Sequence, residues 1–396
     1  MVVVIATARA LGAACRFIGQ PPVIGEMVAG IALGPSVLGL FAPAAMGALF
    51  PLSIMPALDA AAQLGVVLYM FVVGLELNLE IVGARLRTTL ITALSSIAVP
   101  LALGATVAVL LNAQIADAGV PALHFALFLG VAMSITAFPV PARILNALNL
   151  TQSPLGALAL ACAAINDVAA WGLLAFIAGL VQDTGQGALV VGIATVAFIT
   201  LMFGLVRPAC ARLCRTSWGQ QTSLLLVVLT LLALIVSAGV TAAIGIHAVF
   251  GAFILGAVIP HDSRLSRALT DGLATGIALL LPAFFALTGL RTQIGLVSTP
   301  VGWALCALLI GVATIGKLGG TVLGARLSGL EWRQSAMLGV LMNTRGLMEL
   351  IVLNVGLDLG VISPRLFTML ALMAIATTMM TAPALRRLIP SSASDV

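Results

Sequence analysis

Few ionisable residues interrupt the long apolar runs of this chain: Asp167, Lys317, Arg345 and Glu349 lie well inside them, and Glu26 and Glu76 lie nearer their ends. A charge at bilayer depth costs roughly 2.5 to 3.5 kcal/mol on insertion scales, so each such group calls for a partner or a function. Asp167 is the strongest case. Its run opens at Ser153-Pro154, an N-cap residue followed by proline at the first helical position. At about 1.5 Å per residue the aspartate then lies roughly 20 Å along the helix, near mid-membrane. A carboxylate there is neutralised by whichever small cation reaches it, and can release a proton and take up a metal ion. The alternative is a protonated or ion-paired aspartate that only ties helices together.

Lys317 is flanked by Gly316, Gly319 and Gly320, which would let a neighbouring helix come close enough for the ammonium to find a partner. Asp167 is the candidate. Arg345 and Glu349 are four apart and read as an internal pair that lowers their joint insertion cost. Glu26, Glu76 and Arg143 read as access-path or structural residues. His247 reads as a packing or hydrogen-bonding residue rather than a ligand. Cys210 and Cys214 lie one helical turn apart with no histidine nearby, which favours packing over a zinc site.

The elements that must position these groups are membrane helices. Of 396 residues, 61% are hydrophobic and 8% charged, against roughly 25% charged in soluble domains. The net charge of +5 comes from scattered basic residues with no aromatic-interleaved patch, so nucleic acid is not an expected partner. Arg9 in mid-run and the lack of a basic leader argue against a signal peptide at the start. Dividing the apolar runs at proline, glycine and charge clusters gives thirteen expected helices, near 2–18, 21–40, 57–77, 88–112, 122–147, 154–181, 187–206, 221–239, 245–260, 272–290, 299–324, 334–354 and 366–385. With the N-terminus outside, thirteen of the 18 basic residues fall on the cytoplasmic side, from Arg16 to Arg387. Only Arg291 and Arg365 fall on the other side, and Arg9, Lys317 and Arg345 lie within spans. That asymmetry matches the positive-inside rule. About ten residues follow the last helix, so no soluble C-terminal domain is expected.

Two of these helices carry breakers. The fifth contains Ser134-Ile135-Thr136-Ala137-Phe138-Pro139-Val140-Pro141, and the twelfth contains Asn343-Thr344-Arg345-Gly346. Interior prolines remove backbone donors, and irregular backbone survives at membrane depth only where it lines a cavity or is buried in protein. Helices 2 to 6 and 9 to 13 form two five-helix units that start on opposite sides, and each break falls in the fourth member of its unit. Paired interrupted helices in inverted repeats point to a transporter's midplane site. The expected fold is all-α and integral to the membrane, with thirteen transmembrane helices, two inverted five-helix repeats and two crossing discontinuous helices.

Several strings together resemble the monovalent cation:proton antiporters of family 2, which include bacterial Na⁺/H⁺ and K⁺/H⁺ antiporters and plant cation/proton exchangers. They are GQPPVIGEMVAGIALGPSVLG, FVVGLELNLE, SITAFPVPARIL, AAINDVAAW, GIHAVFGAFILGAVIP, TGLRTQIGL and MNTRGLMELIVLNVGLDLGVIS, which run in order along nearly the whole chain. The resemblance implies a homodimer in the cell inner membrane, needing no cofactor and exchanging Na⁺ or K⁺ for H⁺ by alternating access. Its core helices would be about 122–181 and 299–388, with dimerisation and panel helices about 1–112 and 187–290. It also implies that Asp167, with Asn166, Thr136, Ser134 and nearby carbonyls, holds the ion or proton, and that Lys317 is the core's buried lysine. Many electrogenic relatives carry two adjacent aspartates where this chain has Asn166-Asp167, so a one-for-one electroneutral exchange is expected unless Lys317 releases a proton of its own. A channel or sensor of the same fold and a sodium-coupled organic-anion symporter are the rival readings. An intramembrane peptidase is disfavoured, because there is no second membrane aspartate and no His-Glu-x-x-His.

Overall fold

Hydroxyl-proline pairs set three helix starts. Ser153, Thr299 and Ser363 each precede a proline, and their side-chain oxygens accept the amides of Gly156 (3.0 Å), Gly302 (3.0 Å) and Leu366 (3.1 Å). Each cap satisfies one amide that the first turn would leave orphaned. The start read from Ser153-Pro154 is where the helix begins.

A computed structural model describes residues 2–76, 86–115, 119–148, 150, 153–181, 187–216, 224–245 and 247–388. Its main helices are α1 (Val2–Phe17), α2 (Pro22–Leu33), α3 (Met55–Glu76), α4 (Leu86–Leu110), α5 (Ala122–Ser134), α6 (Pro139–Ala147), α7 (Pro154–Val181) and α8 (Gly187–Leu201). These are followed by α9 (Arg207–Arg215), α10 (Leu224–Ile244), α11 (Ala248–Val258), α12 (Arg264–Arg291), α13 (Pro300–Leu327), α14 (Trp332–Met342), α15 (Leu347–Asp358) and α16 (Pro364–Leu388). Among the described residues nine helical stretches are long and apolar enough to cross a bilayer, and α5 and α11 are shorter apolar helices. The architecture is an all-α, multi-spanning membrane fold.

The chain divides into two compact units. The smaller comprises residues 50–78 and 175–287. Here α3 and α11 pack through glycine: a Cβ on Gly74 would lie 2.3 Å from the Phe253 carbonyl oxygen, and one on Gly256 would lie 2.2 Å from that of Phe71. Ser237 of α10 donates to the Gly251 carbonyl (2.7 Å) and ties α10 to α11. His247 caps α11, its Nδ1 accepting the Val249 amide at 3.4 Å, in keeping with the hydrogen-bonding role read from the sequence.

The larger unit holds residues 2–49, 79–174 and 288–396. Its centre is α4, which packs on α5 and α13. The contact with α13 runs along Gly316, Gly320 and Gly324, where an added Cβ would meet Pro100 Cα at 3.0 Å, the Ser95 carbonyl oxygen at 2.5 Å and the Ser95 hydroxyl at 1.9 Å. Gly319 was expected on this face, but helical rotation turns it to open space and Gly324 takes its place.

Both breaks are present. Helix α5 stops at Ser134, the chain is irregular to Phe138, and α6 begins at Pro139. Helix α14 stops at Met342, and α15 resumes at Leu347. The breaks touch: the Ala137 amide donates to the Thr344 carbonyl at 3.3 Å.

Candidate cation site

A helix ends with carbonyls that have no intrahelical donor and carry the negative end of its dipole. At the end of α5 these carbonyls are claimed by cations. Arg345 donates through Nη1 to Ala132 O (2.7 Å) and through Nη2 to Met133 O (2.6 Å), and Lys317 Nζ donates to Ser134 O. Arg345 Nη1 also donates to Glu349 Oε2 at 2.8 Å, the internal pair read from the four-residue spacing. Glu349 lies in the first turn of α15, where the positive helix end favours a carboxylate. Both members of the pair are fully buried.

The second break is closed by hydroxyls. Thr344 donates to Leu341 O (2.8 Å), and Thr136 reaches across to donate to Met342 O (2.9 Å). Thr378 on α16 accepts the Arg345 amide (2.9 Å) and donates to the Arg345 carbonyl (2.7 Å), fixing the backbone on which the guanidinium stands.

Asn166 and Asp167 follow one another on α7 and face different surroundings. The Asn166 amide nitrogen donates to Ser96 Oγ at 3.0 Å and to Thr136 Oγ1 at 3.2 Å, so it links α4 to the first break. Asp167 is 1% exposed, yet neither carboxylate oxygen has a hydrogen-bond partner. The Phe138 amide, at the start of α6, faces the carboxylate without closing a hydrogen bond on it. An acceptor buried without a partner is costly, and a proton or a small desolvated cation would meet that need.

The expected ion pair between Lys317 and Asp167 is not formed. The ammonium binds carbonyls instead, Ser134 O and Ser96 O, the latter at 3.0 Å. Ser134 contributes that carbonyl rather than its hydroxyl, which turns back onto Val131 O at 2.9 Å. Glu26 is half-buried on α2, Glu76 is exposed at the end of α3, and Arg143 belongs to α6 with its side chain outside those described. Ser96 and Thr378 were not singled out by the sequence reading, because a lone Ser or Thr in a membrane helix ordinarily bonds back to its own preceding turn. No group of three or more His, Cys, Asp or Glu side chains that could hold a metal ion occurs among the described residues. A cation at Asp167 would therefore draw its remaining ligands from hydroxyl and carbonyl oxygens.

A multi-spanning membrane fold whose interrupted helices meet beside a buried, unpartnered carboxylate defines a transporter of the secondary type. Comparison with known proteins then gives the family. The transmembrane sodium/hydrogen exchanger family matches residues 2–388, and the chain belongs to it. It is 42% identical to the Na⁺/H⁺ antiporter NhaS4 of Synechocystis sp., over 99% of this chain and 97% of that protein. It is 38% identical to cation/H⁺ antiporter 19 of Arabidopsis thaliana, over 97% of this chain and 48% of that one. With K⁺/H⁺ antiporter 1 of Saccharomyces cerevisiae the identity is 34%, over 95% of this chain and 44% of the yeast protein. The chain thus spans nearly all of the cyanobacterial relative and about half the length of the plant and fungal ones. The sodium proton antiporter MjNhaP1 of Methanocaldococcus jannaschii shares the fold, with a TM-score of 0.74 over 97% of this chain and 95% of that one, at 13% identity.

Proposed function

We propose that the protein is a secondary antiporter that exchanges a monovalent cation, Na⁺ or K⁺, for H⁺ by alternating access. The observation that carries this reading is Asp167, buried with two unpartnered oxygens and facing the Phe138 amide at the first break. Such a carboxylate takes one positive charge at a time. Because its neighbour is Asn166, a second carboxylate does not share the load, and exchange is one-for-one and electroneutral. Lys317 donates to two backbone carbonyls, and the electroneutral version requires it to keep its proton through the cycle. The related antiporters named above are the further support.

In the same reading, thirteen spans form two inverted repeats, the N-terminus is outside and the protein is a homodimer of the cell inner membrane. The moving core comprises about residues 122–181 and 299–388, and about residues 1–112 and 187–290 form the dimerisation and panel part. Glu26, Glu76 and Arg143 are assigned to access or helix ties. The test is reconstitution in proteoliposomes with an imposed pH gradient. Addition of Na⁺ or K⁺ should collapse the gradient without generating a membrane potential. A potential of either sign overturns the electroneutral version, and a gradient indifferent to Na⁺, K⁺ and Li⁺ overturns antiport.

A further inference from the structure

Pro100 stands inside α4, buried against the glycine face of α13. A proline within a helix has no amide hydrogen to offer the carbonyl four residues before it, and here that carbonyl belongs to Ser96. It accepts Lys317 Nζ instead, at 3.0 Å. The same substitution of partners occurs at Pro383 in α16, where the carbonyl of Met379 accepts the Gln20 side-chain amide at 3.1 Å. The proline therefore creates the acceptor that holds the lysine.

The hydroxyl of Ser96 does a second job. Its proton is shared between Ala93 O at 2.8 Å and Asn166 Oδ1 at 3.3 Å, while Thr136 donates its own to Met342 O at 2.9 Å. Both hydroxyl oxygens are then left as acceptors, and both accept from Asn166 Nδ2. An amide nitrogen carries two hydrogens and fits this demand. A carboxylate at position 166 would have no N–H to donate to either oxygen.

On the reading of Asp167 as the exchanging carboxylate, we infer that Ser96 is a positioning residue for the cation site, holding Asn166 through its hydroxyl and Lys317 through the carbonyl that Pro100 leaves free. Ser96 does not touch the transported ion. It sets the two groups that frame Asp167, one on the preceding position of α7 and one on α13.

Cation-driven proton flux in proteoliposomes tests this. Ser96→Ala should raise the half-saturating cation concentration about threefold to tenfold, the equivalent of one hydrogen bond, with the maximal rate kept. Ser96→Thr and Ser96→Val share a shape and differ in the hydroxyl, so Thr should keep near-wild-type affinity while Val behaves as Ala. In an Asn166→Ala background, Ser96→Ala should add nothing. Pro100→Ala restores a helical donor to the Ser96 carbonyl. It should raise the unfolding temperature and still move the pH profile of exchange by about one unit. Overturning results are equal affinity in the Thr and Val variants, independent effects of Ser96 and Asn166, or an unmoved pH profile in Pro100→Ala. A wild type inert to every cation overturns the antiport reading and this role with it, whereas a transporting wild type matched by Ser96→Ala and Ser96→Val overturns the role alone.

Discussion

Two buried acidic groups in the larger unit meet opposite fates. Glu349 is paired to Arg345 at 2.8 Å, and the guanidinium in turn closes the carbonyl end of α5. Asp167 is equally buried, but its oxygens are left without partners and Lys317, the cation expected beside it, is spent on backbone carbonyls. One carboxylate completes the scaffold, and the other, on the function proposed above, is the group the exchanged ions take in turn. Charge at membrane depth is thus not one signal: what separates a strut from a binding group is whether the surrounding backbone has already claimed it.

That contrast breaks most visibly at Asp167. Asp167→Asn should lower cation-driven proton flux by at least about 100-fold, since the exchanged charge has no other acceptor, with an unfolding temperature at or above the wild-type value because a buried charge is removed. Glu349→Gln should do the reverse and act first on stability. Removing one partner of a buried pair costs about 3 to 5 kcal/mol, to be read by thermal or denaturant unfolding in detergent. Thr378→Val removes the hydroxyl that serves both the amide and the carbonyl of Arg345, at a cost of about 1 to 3 kcal/mol in the same assay. The smallest effect is expected from Asp358→Ala. Arg291 pairs with Asp358 at 2.9 Å, with side chains 30% and 59% exposed, and such pairs contribute about 1 kcal/mol or less. An Asp358→Ala variant as destabilised as Glu349→Gln would remove the distinction between buried and exposed pairs.

Much of this was legible in the residues. Proline and glycine in apolar runs marked both breaks, Ser153-Pro154 marked the start of α7, and the spacing of Arg345 and Glu349 gave their pair. What was hidden has a common cause. The partners of Lys317 are backbone carbonyls, freed at Ser134 by the end of α5 and at Ser96 by Pro100, and a carbonyl leaves no letter in the sequence. Side-chain reasoning therefore sent the lysine to the Asp167 carboxylate. Ser96 and Thr378 were invisible because their type and setting match many hydroxyls that only bond their own helix. The helix that meets Gly316, Gly320 and Gly324 was hidden for a related reason: the contact depends on tertiary packing, and no periodicity in α4 alone names its partner.

The central claim is that a proton and a cation compete for the Asp167 carboxylate. Proton release on cation binding tests it directly, measured with a pH dye on purified protein in weakly buffered detergent as Na⁺ or K⁺ is added. The account predicts about one proton released per cation bound by the wild type and none by Asp167→Asn. Cation binding to the wild type without proton release, or undiminished release from Asp167→Asn, would contradict it.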